Sequence, residues 1–160
     1  MASNIWMIYH SKSGTCGNLC EDIAKKLNDR FKVKTNEVSR TKPQNLCDEP
    51  PDVLIVGSRI TFGKPDKTIT DFVKKLGKKL NSPIPKAATF YTHMSPWQTS
   101  FAKMGNILKE NNVATEILPE FLEFKIQDTG KMYGPPEPGQ EPKIDEFINR
   151  IQNFIGLKAN

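Results

Sequence analysis

Three short runs of nearly unbroken apolar residues limit what this chain can become: NIWMIYH (residues 4–10), DVLIVGS (52–58) and KAATFYTH (86–93). Strands that lose the polar alternation are those of a sheet covered on both faces. Segments of a different period lie between them. Leu19, Cys20, Ile23, Ala24 and Leu27 recur at steps of three and four, and so do Ile69, Phe72, Val73 and Leu76. Each set predicts a helix with one buried stripe. A third helix is expected in PWQTSFAKMGNILKENN, starting near Pro96. A fourth starts at Pro142, with Ile144, Ile148, Ile151, Phe154 and Ile155 on its stripe and Asp145 and Glu146 well placed for the helix dipole. FKVKTNEV (31–38) alternates in part, as an edge strand does. VATEILPEFLEFKI is a strand interrupted by Pro119, whose missing N–H suits an edge or a bulge.

The element order is therefore β-α-β-β-α-β-α-β-α, with a polar, irregular link, SRTKPQNLCDEPP, before the third strand. Such alternation demands parallel strands and right-handed crossovers, which gives a three-layer α/β/α sandwich. The 160 residues fit one domain, 1–160, and no internal repeat is visible.

The charge of +5 admits a nucleic acid, an acidic protein partner or simply a basic surface. The local cluster KKLGKK (74–79) reads as a solvated helix end, and no arginine-rich or aromatic-plus-basic module is present, so no nucleic acid is expected. Cys16 and Cys20 stand at C-x-x-x-C, which puts both on one helix face and is not the C-x-x-C redox turn; Cys47 makes the count odd. No segment approaches 18 apolar residues, and the first residues lack a basic stretch followed by an apolar core. No membrane contact is expected, and a reducing compartment, the cytoplasm, is the expected location.

In an open parallel sheet, ligands bind beyond the carboxyl ends of the strands. The loops to inspect follow Tyr9, Gly57 and Tyr91. The first, SKSGTCGN, lacks the Gly-Lys-Ser/Thr of a triphosphate loop, and Gly14 and Gly17 give only G-x-x-G, short of a dinucleotide fingerprint. Ser11, Ser13 and Thr15 supply hydroxyls, Gly14 allows close approach, and the amides from Ser13 to Gly17 converge on a helix start. That set suits one terminal phosphate held by neutral donors; a plain helix cap with a glycine turn is the other reading. His10 and His93 each follow a strand end and are expected near one crevice. Neither has cysteine or carboxylate at metal-ligand spacing, so no metal is expected. A hydrolase triad is excluded because the G-x-S-x-G elbow is missing.

YHSKSGTCGN resembles the phosphate loop of flavodoxins, which usually reads T/S-x-T/S-G-x-T after an apolar strand. DVLIVGSRITFGKPDKTITDFVKKL is similar to that family's third strand and first flavin-contacting loop, and KAATFYTHMSPWQTSFAKMGNIL to its fourth strand and second such loop. The resemblance implies a flavodoxin-like five-stranded parallel sheet of order 2-1-3-4-5 and bound FMN. Carried over by position, Ser11, Lys12, Ser13, Gly14, Thr15 and Cys16 meet the phosphate. Ser58, Arg59, Ile60, Thr61, Phe62 and Gly63 form the first ring loop, and Thr92, His93, Met94, Ser95 and Trp97 lie in the second. Cys16 stands where the family has threonine, Arg59 where proline is frequent, and the chain is basic where many flavodoxins are acidic.

Flavin carries the electron chemistry itself, so the protein supplies position and electrostatics. Phe62 and Trp97 are the aromatics expected on the two faces of the ring; Tyr91 points either to the ring or into the core. The family also implies that a glycine peptide, that of Gly57 or Gly63 and here assigned to Gly63, can turn its carbonyl toward flavin N5. Arg59 and Lys64 either face the ring, favouring its negative reduced form, or are solvated rim charges. The implied function is a monomeric, low-potential electron carrier passing single electrons between redox protein partners, with no catalytic residue. The alternative is an NAD(P)H-dependent quinone or flavin reductase of the same fold, whose members are usually longer.

Overall fold

A computed structural model describes residues 3–10, 14–94, 99–127 and 135–156. The elements are β1 (Asn4–Tyr9), α1 (Thr15–Leu27), β2 (Lys32–Glu37), α2 (Pro43–Asp48), β3 (Val53–Thr61), β4 (Lys64–Pro65), α3 (Lys67–Lys79), β5 (Ile84–His93), α4 (Ala102–Glu110), β6 (Ala114–Ile117), β7 (Leu122–Lys125) and α5 (Pro142–Ile155). β2, β1, β3 and β5 lie side by side in parallel, and β6 and β7 share the fifth position, pairing one after the other with β5. The order expected from the sequence, 2-1-3-4-5, is the order found.

Both faces of the sheet are covered, which is why its inner strands read as apolar runs. Ile5, Met7, Ile55 and Phe90 meet α1 and α5 on one face, while Ile8, Leu54, Val56 and Tyr91 meet α3 and α4 on the other. Tyr91 thus points into the core and not to the ring loops. Gly57 is required by packing: a Cβ there would stand 2.0 Å from the ring of Phe90 on the adjacent strand.

Three expectations need correction. The link before β3 is not wholly irregular, since it holds a 3₁₀ turn (Val38–Arg40) and α2, which begins with Pro43 and buries Leu46. A six-residue helix offers one apolar contact and so leaves no periodicity to read. The helix expected near Pro96 begins at Ala102, and residues 95–98 are outside the described set. β3 does not stop at Ser58; it runs to Thr61 and turns back into β4.

That extension gives the sheet a step. Pairing of β1 with β3 ends at Tyr9 opposite Gly57, whereas β3 and β5 stay paired as far as Ile60 opposite His93. Pro119 interrupts the last strand as its chemistry demands. Between the pairs Ala87–Ile117 and Phe90–Leu122, residues 118–121 stand against only Ala88 and Thr89. The Gln140 side-chain amide holds β7 from outside, accepting from the Lys125 N–H at 2.8 Å and donating to its carbonyl at 2.9 Å.

Candidate functional site

At the carboxyl end of β1 the chain turns into α1 through Gly14, whose φ of +83° is costly for any residue with a Cβ. The space beyond that Cβ position is open within 4 Å. Gly14 caps the helix with its carbonyl, which accepts from Asn18 N–H at 2.8 Å, and no acidic residue stands in the first turn. A helix start of this kind attracts an anion. Thr15 and Cys16 are buried, and Cys16 packs with Cys20 in the core. Burial pushes the Cys16 thiol up to about 12, with Asp66 adding to the rise and Arg59 opposing it. The Cys16 side chain therefore faces inward, and only its backbone stays on the ligand side of the turn.

The extension of β3 forms a wall beside this helix start. Ser58 is fully buried; its hydroxyl donates to the Arg59 carbonyl and accepts from the Asp66 N–H, both at 2.9 Å. Arg59 Nε lies 3.6 Å from the Asp66 carboxylate, and Asp66 also caps α3 by accepting from Thr68 N–H. Arg59, with only 16% of its side chain exposed, is an ion-pair partner and not a solvated rim charge. Lys64 is exposed.

Thr61 pairs with Lys64 across a two-residue turn made by Phe62 and Gly63, with φ of 51° and 71°. Two successive positive φ values mark the hairpin turn that Asn-Gly usually makes. A phenylalanine in the first position carries strain. Phe62 is also 81% exposed, the most solvent-facing large apolar side chain among the described residues.

The end of β5 is the third part. Thr92 and His93 are buried and Met94 is half-buried. His93 packs edge-on against Phe101, which stacks on Phe121 at 4.7 Å between ring centroids. Its Nε2 donates to Glu123 of β7, and the other Glu123 oxygen accepts from Lys143 Nζ at 2.6 Å. Burial alone would raise the Glu123 carboxyl, but the hydrogen bonds from His93 and Lys143 outweigh it and hold that carboxyl below its usual range. His93 Nδ1 is buried with no hydrogen-bond partner among the described residues. His10 is held elsewhere, by Glu37 at 2.8 Å, two strand positions from β5.

Of the expected site residues, Gly14, Thr15 and Cys16 lie at the α1 start, while Ser58, Arg59, Ile60, Thr61, Phe62 and Gly63 lie along the β3 extension and its turn. Thr92, His93 and Met94 end β5, with Arg59 beside Thr92 and Ile60 beside His93 in the ladder. Ser11, Lys12, Ser13, Ser95 and Trp97 are outside the described residues. Sequence reasoning missed Asp66, Lys103 and Glu123. Asp66 had a signal, since an aspartate two residues before Thr68 at a helix start is a cap; Glu123 had none short of the strand register.

No family model and no curated relative matches the sequence. Its backbone, by contrast, superposes on solved structures along nearly its whole length. Flavodoxin 1 from Bacillus cereus does so with a TM-score of 0.71 at 16% identity, covering 98% of this chain and 100% of its own. A flavodoxin from the Archaea gives 0.70 at 14%, covering 98% and 99%. This chain has a flavodoxin-like fold. The same flavodoxin-like fold matches part of a flavo di-iron protein from Thermotoga maritima, with a TM-score of 0.71 at 17% identity over 97% of this chain and 36% of that one.

Proposed function

We propose that the chain binds FMN and carries single electrons at low potential between redox protein partners. The observation behind this reading is the step in the sheet's carboxyl edge. The pairing of β3 with β5 continues three residues beyond the pairing of β3 with β1, roughly 10 Å at strand rise. The helix start at Gly14 follows β1, the shorter strand, and the Phe62 turn tips the longer β3. A phosphate monoester joined to a flat ring by a short polar chain matches that separation.

The residues present fit such a group. The α1 start offers backbone donors and a positive helix end without a competing acid, so Gly14, Thr15 and Cys16 would hold the phosphate by their backbone, with Ser11, Lys12 and Ser13 completing the loop. The Arg59–Asp66 ion pair stands on the β3 extension, next to the buried Ser58 hydroxyl. Phe62 offers an uncovered aromatic face, Thr92 to Met94 border the ring from β5, and the unpartnered His93 Nδ1 is a buried polar atom that a ligand can meet. FMN, when bound, supplies the reversible uptake of electrons. The chain's part is to anchor the phosphate, exclude water from the ring faces and leave an edge for a partner. Among the described residues, no helix is long and apolar enough to cross a membrane.

Titration of the FMN-free protein with FMN tests the reading: saturable, stoichiometric quenching of flavin fluorescence is expected, and its absence would reject FMN. Anaerobic addition of NADPH to the loaded protein separates the carrier from a reductase. A carrier stays yellow until a protein donor is supplied; rapid direct bleaching assigns the reductase.

A further inference from the structure

We infer that His93, oriented by Glu123, hydrogen-bonds the polar edge of the bound flavin ring and takes up a proton when the ring is reduced; this rests on the FMN reading above. The two ring nitrogens of His93 differ in what they meet. Glu123 accepts from Nε2, so Nε2 carries the hydrogen, and Nδ1 is the nitrogen left bare whenever the imidazole is neutral. That nitrogen, nearer the backbone and one residue before Met94, is buried and has no hydrogen-bond partner among the described residues. Only 7% of the His93 side chain is exposed, and an orphaned polar atom at that depth costs free energy unless something meets it.

Among the described residues, few candidates exist for that role. From β7 comes Glu123, from α5 Lys143 acting through Glu123, from the segment before α4 the uncharged Phe101 ring, and from β3 the apolar Ile60. Lys125, opposite His93 in the ladder, is drawn away toward Glu137 at 3.6 Å. Among the described residues, Glu123 is thus the one carboxylate in contact with His93, and Lys143 fixes it by binding its second oxygen and its carbonyl.

The oxidised flavin ring has a single N–H donor, N3, between two carbonyls. A bare Nδ1 complements N3–H; a protonated Nδ1 complements either carbonyl. Reduction by two electrons and one proton leaves the ring with one negative charge, which favours a cation beside it. A second proton then passes from solvent to Nδ1, and Glu123 balances the resulting imidazolium. The electrons come from a protein donor in the proposed function and from dithionite in the test. Glu123 is a positioning residue in this scheme.

Two measurements on the full chain decide the matter. The first is the ¹⁵N spectrum of His93 in wild-type protein without FMN, with oxidised FMN and after dithionite reduction. Nδ1 is expected to move on FMN binding and to become protonated on reduction; a spectrum indifferent to both would overturn the inference without any variant. The second is the FMN potential from about pH 5 to about pH 8, where imidazole changes charge. Wild type is expected to take up more protons per electron than His93→Gln, by up to one proton per two electrons, with Glu123→Gln in between. Superimposed curves from proteins that all bind FMN overturn this inference and leave the FMN reading standing. Failure of the wild type to bind FMN overturns both.

Discussion

Lys103 Nζ donates to the Gly63 carbonyl at 2.9 Å, tying the first turn of α4 to the tip of the β3–β4 hairpin. The contact spans forty residues of sequence and fixes a turn that carries two positive φ values. Replacing the lysine by methionine keeps most of the apolar stem and removes the charged donor. The hairpin is expected to lose about 1 kcal/mol of local stability, which speeds amide exchange at 61–64 roughly fivefold. Exchange in β1 should not change; a global rise in exchange would show that Lys103 supports the whole fold.

Phe62 invites a test in which two readouts move in opposite directions. Asparagine tolerates the left-handed region far better than phenylalanine, and Phe62 buries little surface. Phe62→Asn is therefore expected to raise stability to urea by about 0.5–1 kcal/mol. The same variant should bind FMN several-fold more weakly if the aromatic face meets the ring, since such contacts are worth about 0.5–1.5 kcal/mol. Unchanged affinity would remove Phe62 from the proposed ring site.

Gly57→Ala places a methyl carbon 2.0 Å from the Phe90 ring, which is fully buried and cannot swing aside. The strands must part or the ring must leave its rotamer, at a cost of about 1–3 kcal/mol. Urea denaturation at neutral pH measures it. Gly57→Ala combined with Phe90→Leu should recover part of the loss, because the two effects share one contact.

Acid should weaken the fold through two carboxylates. Glu123 is lowered by His93 and Lys143 against the opposing effect of burial, and Glu37 by Ser39 and His10 against the same opposition. A lowered value in the folded state means that the unfolded chain takes up protons first. The stability from these contacts is complete above the ordinary carboxylate value of 4.5 and drains away as pH falls below it. Urea midpoints measured from neutral pH down through that value should fall, and less steeply in Glu123→Gln than in wild type. Equal slopes would show that Glu123 titrates alike in both states.

The sheet was legible because its inner strands are buried on two faces, a condition that writes itself into Ile5–Ile8 and Leu54–Val56 residue by residue. What escaped depended on register or on unusual local choices. The β3 hairpin hid because Phe-Gly stands where Asn-Gly would have announced a turn. The role of Arg59 hid because its partner Asp66 lies across that hairpin. Glu123 reaches His93 only because two extra residues in the last strand set where β7 meets β5, and no local pattern encodes that alignment. Pro119, by contrast, declared the interruption through its missing N–H.

That interruption shapes how this molecule behaves in a crowd. A parallel sheet of five positions ends in strands whose outward amides and carbonyls could recruit the strand of another chain. Here the last position is two four-residue pieces out of line with each other, and the second has its outward groups at Lys125 already occupied by the Gln140 amide and the Glu137 N–H. Among the described residues, no flat rail long enough for a foreign strand remains on that side. The kink at Pro119 breaks the edge where the sheet would otherwise be most open to strand addition.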